Sequence, residues 1–568
     1  MPKGKDLSAK KETPDLHFLI FSFITVLALS FVFYFPILQN GFSNWDDPTY
    51  IENNPLIKEF TAENFKRIFT EIYFSNYQPL HIASYFFEYR LFGDDPFGYH
   101  LVSLFMHGCV TGMVIWFVFL LSGNRMISFL TGILFAVHPM HVESVAWAAE
   151  RKDLLYALFT FAALVAYLYY LKDTGSLKYY YACLFFFTLA IFSKAMAACV
   201  PPVLILVDIY YRRKINARVI VEKIPFFLLA VILGMISVYA SGRDGSINDN
   251  STFTFIDRMV LACSNLVMYM VKLLVPFKLS AFYPYPMKTG DLLPVYYYAA
   301  PVIVLLVAAS VIYSLKFTRI IFFGTGFIFL TLLLVLQLLP VGPTVFSERY
   351  SYIPSATLFM MMAYGFHYLL KKYQSQPTIR TGMIASFAIY SIWLGVITYN
   401  RSQVWKTPDT LWSDVISQFE NVPIAYNNRG HYYNKTGKKE KALADFNKAI
   451  SQNPVYDMAL FNRGSLYGEM NRLDESLNDL DLAIKSNPKL PEAYKMRGQV
   501  YAMSGKSDLA MADFKKALEL QPDYAEIYFN MGIFHFNAGN RDEACKNFRK
   551  ADQLRFAKAR DMTEKYCQ

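Results

Sequence analysis

Four glycines, Gly430, Gly464, Gly498 and Gly532, stand 34 residues apart. A fixed period of this length constrains the chain more than any other feature, because it calls for stacked copies of one supersecondary unit. Other positions keep the same phase. Each glycine is followed twelve residues later by a small residue (Ala442, Ser476, Ala510, Ala544), and nineteen later by another (Ala449, Ala483, Ala517, Ala551). Sixteen residues after each glycine comes a large apolar one: Phe446, Leu480, Phe514 and Phe548. Tyr433, Tyr467 and Tyr501 recur, with His535 in the fourth unit, and Pro454, Pro488 and Pro522 close the first three, with Phe556 in the fourth. Small residues let two antiparallel helices approach, the large one fills the gap beside them, and proline ends the unit. The spacing predicts four helical hairpins over 423–560.

This block resembles the tetratricopeptide (TPR) repeat. The resemblance implies an α-solenoid with a concave groove that takes a peptide or protein partner, against the alternative of a plain spacer.

The rest of the chain has the opposite character. The 568 residues are 54% hydrophobic, 17% aromatic and 18% charged, whereas soluble chains carry about 25% charged residues. The apolar excess lies before about residue 400, which excludes a single soluble enzyme, a disordered tail protein and a small secreted scaffold. A spanning helix needs about 20 mostly apolar residues. The first candidate is 16–37, too long for a cleaved leader and with no small-residue cleavage site behind it. Others lie near 99–121, 126–140, 153–171, 178–194, 195–211, 224–241, 258–275, 295–315, 320–341, 352–371 and 381–400. The expected fold is mostly α: a polytopic transmembrane helix bundle followed by the solenoid. Its expected divisions are a cytoplasmic tail 1–15, a transmembrane domain 16–405 with an outside loop 38–98, a linker 406–422, the repeats 423–560 and a tail 561–568.

Basic residues orient such a bundle. Lys3, Lys5, Lys10 and Lys11 hold the amino end in the cytoplasm, and Arg125, Lys172, Lys178 and the run Arg212, Arg213, Lys214, Arg218, Lys223 mark later cytoplasmic turns. The segment 258–275 breaks the parity. If it spans, the basic turns at Lys316–Arg319 and Lys371–Arg380 fall outside. Asn265 and Lys272 suit an interfacial helix, which gives eleven spans and a non-cytoplasmic repeat domain. The surplus of basic residues, +10, is read as this topological signal rather than as affinity for nucleic acid. The six cysteines form neither zinc-ligand spacing nor a disulfide framework.

Ionisable clusters at a membrane edge mark function, and four stand out on the expected outer side. Asn44-Trp45-Asp46-Asp47-Pro48 offers two carboxylates, as a general base, as metal ligands, or as a turn with an interfacial tryptophan. His138-Pro139-Met140-His141-Val142-Glu143 precedes Glu150-Arg151-Lys152-Asp153. Its two histidines share a helix face, so a divalent metal at Asp46, Asp47, His138 and His141 stays open beside a role in orienting a polar group. Arg151 and Lys152 lie outside against the positive-inside trend and invite an anion such as phosphate. Glu348-Arg349-Tyr350-Ser351-Tyr352 combines a phosphate-suited arginine with belt-forming tyrosines. Lys194 ends a span, with Tyr283-Pro284-Tyr285-Pro286 in the next outside loop. Absent a glycine-rich phosphate loop, a nucleophile elbow or HExxH, a phosphate recognised here would arrive on a lipid. A membrane-anchored scaffold without chemistry and a transporter are the rival classes. The charges cluster at one membrane edge rather than at the midplane, which argues against the transporter.

Taken together, FSNWDDPTYIENNP, YQPLHIASYFFEYRLFGDDPFGYHLVSLFMHG, HPMHVESVAWAAERKDLLYALF and LPVGPTVFSERYSYIPS resemble the transmembrane-and-TPR O-mannosyltransferases and their bacterial relatives. One position departs: Gln78 stands before Pro79 where that family tends to carry arginine. The resemblance implies a GT-C glycosyltransferase fold. It implies transfer of a sugar, mannose or similar, from a polyprenyl-phosphate carrier to a protein or other acceptor on the non-cytoplasmic side, with inversion. Under it Asp46 or Asp47 is the catalytic base, with Asp46 slightly favoured. Arg349, Arg151 and Lys194 hold the donor phosphate. His138, His141, Glu143, Glu348, Tyr350 and Tyr283 orient the substrates. The repeats recruit the acceptor or a partner. Membrane lipid surrounds the bundle, and short loops lean towards a bacterial inner membrane with periplasmic repeats, against an endoplasmic reticulum membrane with lumenal ones.

Overall fold

A computed structural model describes residues 15–173, 176–243, 252–338 and 342–567. The basic cluster Lys3, Lys5, Lys10 and Lys11 lies outside the described residues. The described residues hold no β-strand, only three isolated bridges, and the helices divide between two compact units, 1–414 and 415–568.

In the first unit each apolar run expected from the sequence is helical over most of its described residues. Among the described residues six helices are long and apolar enough to cross a membrane: Leu16–Gln39, Pro96–Ser122, Ala148–Lys172, Ala217–Ala240, Val295–Ser314 and Pro377–Val404. A seventh candidate, Arg125–Val137 with Pro139–Ala146, bends by 58° at its break, where Pro139 removes a helical donor. Leu177–Ser193, Ala195–Tyr210 and Ile320–Val335 are apolar but shorter. Burial follows the logic of a bilayer solvent, in which backbone groups pair within helices and outward faces stay apolar. In Leu16–Tyr34 the buried positions are Ser22, Val26, Ser30 and Tyr34, one stripe four residues apart, while Ile20, Phe21, Ile24 and Val32 point outward. Phe255–Leu274 is not among the six. It carries polar anchors instead: Asn265 donates to the Val345 carbonyl at 2.8 Å, Tyr269 to that of Ser347 at 2.9 Å, and Lys272 to those of Phe277 and Lys278.

The stretch 406–422 is not a plain linker. Helix Pro408–Gln418 runs through it, with Leu411, Trp412 and Val415 fully buried, and the Trp412 indole donates to Asn44 at 2.8 Å.

The second unit consists of four antiparallel helix pairs: Pro423–Lys435 with Lys439–Gln452, Asp457–Glu469 with Leu473–Ser486, Pro491–Met503 with Ser507–Leu520, and Ala525–Asn537 with Arg541–Gln553. Helix Ala557–Tyr566 follows. The 34-residue glycines sit where paired helices touch. A Cβ at Gly532 would lie 2.5 Å from the Phe548 ring, and one at Gly498 2.8 Å from Phe514. Neither ring can withdraw, because each fills the core of its own pair. A second ladder runs in the same register. Arg429, Arg463 and Arg497 each grip an aspartate sixteen residues on (Asp445, Asp479, Asp513) with two parallel hydrogen bonds of 2.7–2.8 Å.

Cys545 and Cys567 form a disulfide that ties the segment after the last pair back to it, where the sequence indicated no framework. A single bridge across 22 residues leaves no pattern to read. Such a link stabilises by about 3 kcal/mol, chiefly by restricting the unfolded chain. Reductant is therefore expected to lower the calorimetric unfolding midpoint of the repeat unit by several degrees, and Cys545→Ser to remove that sensitivity.

Candidate functional site

Where Ala148–Lys172 begins, charged groups from five segments converge. Glu150, Lys152 and Asp153 come from the start of that helix and Lys194 from the end of Leu177–Ser193. Glu143 comes from the short helix Val142–Ala146, Arg349 from the turn Glu348–Ser351, and Asp46 from the loop after the first span. The Arg349 guanidinium pairs with Glu143 and lies 3.5 Å from Glu150, and its own backbone N–H donates to the second Glu143 oxygen at 3.0 Å. Lys152 lies 3.1 Å from Glu150. Lys194 reaches Asp153 at 2.5 Å and Glu150 at 3.5 Å. All six of these side chains are buried or nearly so. Three cations against three carboxylates make a neutral, preformed lattice whose charges sit where water screens them little.

Aromatic rings set its walls. Trp45 stacks on Trp147 with centroids 4.7 Å apart, and Arg349 lies over Trp147 at 5.5 Å. Tyr350 takes Arg349 at 4.9 Å and Lys194 at 5.4 Å against its ring; Tyr50 takes Lys152 at 5.2 Å. One ring thus separates the residue before Asp46 from the Arg349 guanidinium.

The two aspartates do different things. Asp47 is buried, and its oxygens accept the backbone N–H groups of Ser43 at 2.6 Å and Ala149 at 2.7 Å. It pins the loop to the helix start. Burial pushes its carboxyl up to about 7, against those N–H groups. Asp46 is half-buried and makes no side-chain hydrogen bond or ion pair among the described residues. Burial raises its carboxyl above the ordinary range, Lys152 and Arg349 oppose the shift and Glu150 adds to it. Of the two, only Asp46 has oxygens free to take a proton.

Several expected site residues are elsewhere. Arg151 is fully buried and turned away: it pairs with Glu88 and donates to Ser103 at 3.1 Å and to the Tyr99 carbonyl at 2.6 Å. The cation facing the cluster is Lys152. His138 and His141 are core histidines. His138 engages the Leu273 carbonyl and the Met140 N–H, and His141 bridges the Phe135 carbonyl and Ser355. With their ring nitrogens so occupied, the metal reading at Asp46, Asp47, His138 and His141 fails, and no group of three or more acidic, histidine or cysteine side chains among the described residues is placed to hold an ion. Glu348 faces away from Arg349 and accepts from Ser280 N–H and Tyr283 hydroxyl, both at 2.6 Å. That pairing holds two loops together and removes Glu348 and Tyr283 from the cluster. Glu143, Arg349, Tyr350 and Lys194 are in it. Gln78 contacts only its neighbour Asn76, at 3.5 Å, among its described side-chain hydrogen bonds.

Sequence reasoning left Glu150 and Asp153 unassigned although it flagged their segment, and it carried Arg151 rather than Lys152 forward as the donor-phosphate ligand. Residues 151 and 152 leave a helix about 100° apart, so only one can face a given cleft, and nothing local says which.

Comparison with known proteins finds similarity to named mannosyltransferases and to tetratricopeptide repeat proteins. Residues 80–241 match the family described as dolichyl-phosphate-mannose-protein mannosyltransferase, and residues 423–456, 459–490, 498–539 and 525–558 match tetratricopeptide repeat families. A Caenorhabditis elegans protein named protein O-mannosyl-transferase F38B6.6 is 25% identical over 76% of this chain and 63% of its own length. The Drosophila melanogaster protein O-mannosyl-transferase Tmtc3 is 23% identical over 79% and 57%, and human TMTC2 is 34% identical over 18% and 12%. The chain therefore spans less than two thirds of the length of these relatives. Among solved structures, a thermophilic TPR protein of Thermus thermophilus is 23% identical, with a TM-score of 0.26, over 32% of this chain and 94% of its own.

Proposed function

We propose that this protein moves a sugar, mannose or similar, from a polyprenyl-phosphate carrier to a protein or other acceptor on the non-cytoplasmic side of its membrane, with inversion. The observation that carries the reading is Asp46: an unpaired, half-buried carboxylate set against a lattice of three cations. Its oxygen takes the proton of the acceptor hydroxyl as that oxygen attacks the anomeric carbon. The carbon–oxygen bond to the carrier breaks from the opposite face and leaves a lipid phosphate near the dianion. Lys152, Lys194 and Arg349 hold that phosphate, exchanging carboxylate partners for phosphate oxygens, and a water-poor surrounding strengthens each contact. Glu143, Glu150 and Asp153 keep the cations aligned before the donor arrives. The family resemblance supports the reading, as does the disulfide in the repeats, since disulfides persist in oxidising compartments. The eleven-span arrangement with 258–275 interfacial fits the same placement.

Purified protein with a labelled polyprenyl-phosphate mannose and a hydroxyl acceptor tests the proposal: sugar appears on the acceptor, and transfer falls by at least about 100-fold with the Asp46→Asn variant. Retention of full transfer by that variant refutes it. The pH profile has a stated sign. A base must be deprotonated, and burial raises Asp46, so the acid limb lies above the about 3.9 of a free aspartate and the rate climbs as pH rises through it. A limb at or below the free value would contradict the assignment.

The repeats are proposed to recruit the acceptor. Removing 423–568 is expected to spare transfer to a small soluble acceptor and to cut transfer to a protein by at least about a hundredfold, the lower end of what tethering contributes; equal loss of both speaks against recruitment. The alternative, a membrane-anchored scaffold without chemistry, predicts no transfer by either route.

A further inference from the structure

Tyr167 lies 15 residues beyond Lys152 on the same helix, about 22 Å along its axis, so a second buried charge cluster around it sits at the opposite membrane face. Lys223 is buried there, 3.0 Å from Asp208 and donating to the Tyr167 hydroxyl at 2.6 Å. Tyr167 donates to Asp208 at 2.6 Å, Arg213 pairs with Glu222 at 2.7 Å, and Tyr170 donates to Glu222 at 2.7 Å. This network rigidly joins Arg151–Lys172, Val200–Tyr210 and Ala217–Arg243. The proposed transfer chemistry uses none of it.

Beside Lys223 opens a groove of 310 Å³, walled almost wholly by carbon and lined by Ile205, Val219, Ile220, Ile224 and Phe227. The turn between the last two helices, next in sequence to the lining residues Ile215 and Val219, carries Arg212 and Lys214; Arg218 follows in the first turn of Ala217–Arg243, and Arg319 comes from another turn, donating to the Ile209 carbonyl at 2.9 Å and lying near Arg212. Six cations (Arg212, Arg213, Lys214, Arg218, Lys223, Arg319) meet two carboxylates (Asp208, Glu222), and both carboxylates are already engaged. Arg212 and Lys214 have no acidic partner among the described residues. Arg319 is held below its ordinary value, first by burial and then by neighbouring Arg212. Two guanidinium groups share a space in which no described acidic side chain pairs with either.

We propose that this groove and its basic rim form a binding site for an anionic phospholipid, with one acyl chain along the groove and the phosphate on Arg212, Lys214 and Arg319. Charge complementarity selects the occupant. An uncharged lipid would fill the apolar part but leave the rim unsatisfied, and a soluble anion would leave the groove empty. The site stands independently of the proposed transfer reaction.

The test is lipid retention by the full-length detergent-purified protein, read by native mass spectrometry after incubation with phosphatidylglycerol or phosphatidylcholine of matched chains. Retention is expected to favour phosphatidylglycerol by about tenfold, the scale of one or two basic contacts at a membrane surface. Arg212→Glu with Lys214→Glu should bring the two lipids level. Ile224→Trp, on an exposed helix face, should lower retention of both without changing the charge. Equal retention by the wild-type protein overturns the proposal, and so does a preference that survives both variants. It is likewise overturned if millimolar inorganic phosphate displaces the lipid, which would make the ligand a free anion, or if a dimer mass is lost on Ile224→Trp, which would assign the groove to a second copy.

Discussion

Asp46→Asn is expected to cut sugar transfer by about 100- to 10,000-fold, the usual contribution of a general base, while leaving the unfolding midpoint within a degree or two. The two halves of this expectation come from the same geometry. Asparagine keeps the size of the side chain but cannot take a proton at neutral pH. Because Asp46 makes no side-chain hydrogen bond or ion pair among the described residues, replacing it orphans no donor; relieving the burial of a carboxylate whose affinity for a proton is already raised even favours the fold slightly. Asp47→Asn reverses the pattern. Its carboxylate caps two backbone N–H groups at 2.6 and 2.7 Å, and an amide can accept from one but presents N–H to the other. A buried donor left without a partner costs about 1–3 kcal/mol, so this variant loses thermal stability first, and activity only to the extent that the loop shifts. Measuring transfer rate and calorimetric midpoint on the two variants side by side decides the assignment. If Asp47→Asn abolishes transfer at unchanged midpoint while Asp46→Asn remains active, the base is Asp47 and the reading of the loop is wrong.

The contrast also locates what the sequence could and could not disclose. The repeat half was legible to individual residues, because each requirement recurs four times: a glycine facing a large apolar side chain sixteen residues on follows from the 34-residue period alone. The apolar runs of the membrane half were legible too, since length and composition alone make them helices. The convergence was not. Glu143, Glu150, Asp153, Lys194 and Arg349 are spread over 206 positions, and only tertiary packing decides that they meet. His138 and His141 misled for the same reason. Two histidines three apart look like a ligand pair, yet burial places each against backbone carbonyls or a serine. The Arg349–Glu348 neighbours point in opposite directions because a tight turn sends consecutive side chains apart, a property invisible in the letters ER.

Arg151 and Lys152 give the sharpest separation of stability from activity. Arg151→Met leaves Glu88 buried without its guanidinium, and the Ser103 and Tyr99 acceptors lose their donor. Removing one partner of a buried pair costs about 3–5 kcal/mol, a large share of the roughly 5–15 kcal/mol by which a domain is stable, so this variant should express poorly or melt several degrees lower. The molecules that do fold retain the cleft, because Arg151 touches none of its members; their transfer rate per folded molecule should be near wild type. Lys152→Met removes a cation whose contacts among the described residues are Glu150 and the Tyr50 ring. Glu150 keeps Lys194 and Arg349 within 3.5 Å, so the loss of stability is smaller. The proposed donor phosphate, however, would lose one of three cations in a site of low polarity, where a charge-assisted contact is worth about 1.5–3 kcal/mol, so kcat/KM for the lipid donor is expected to fall roughly ten- to a hundredfold. Paired measurement of midpoint and donor kcat/KM places the two variants on different axes. Were Arg151→Met to fold normally and lose donor use while Lys152→Met behaved as wild type, the helix start would be rotated from the orientation described here and the phosphate assignment would fall with it.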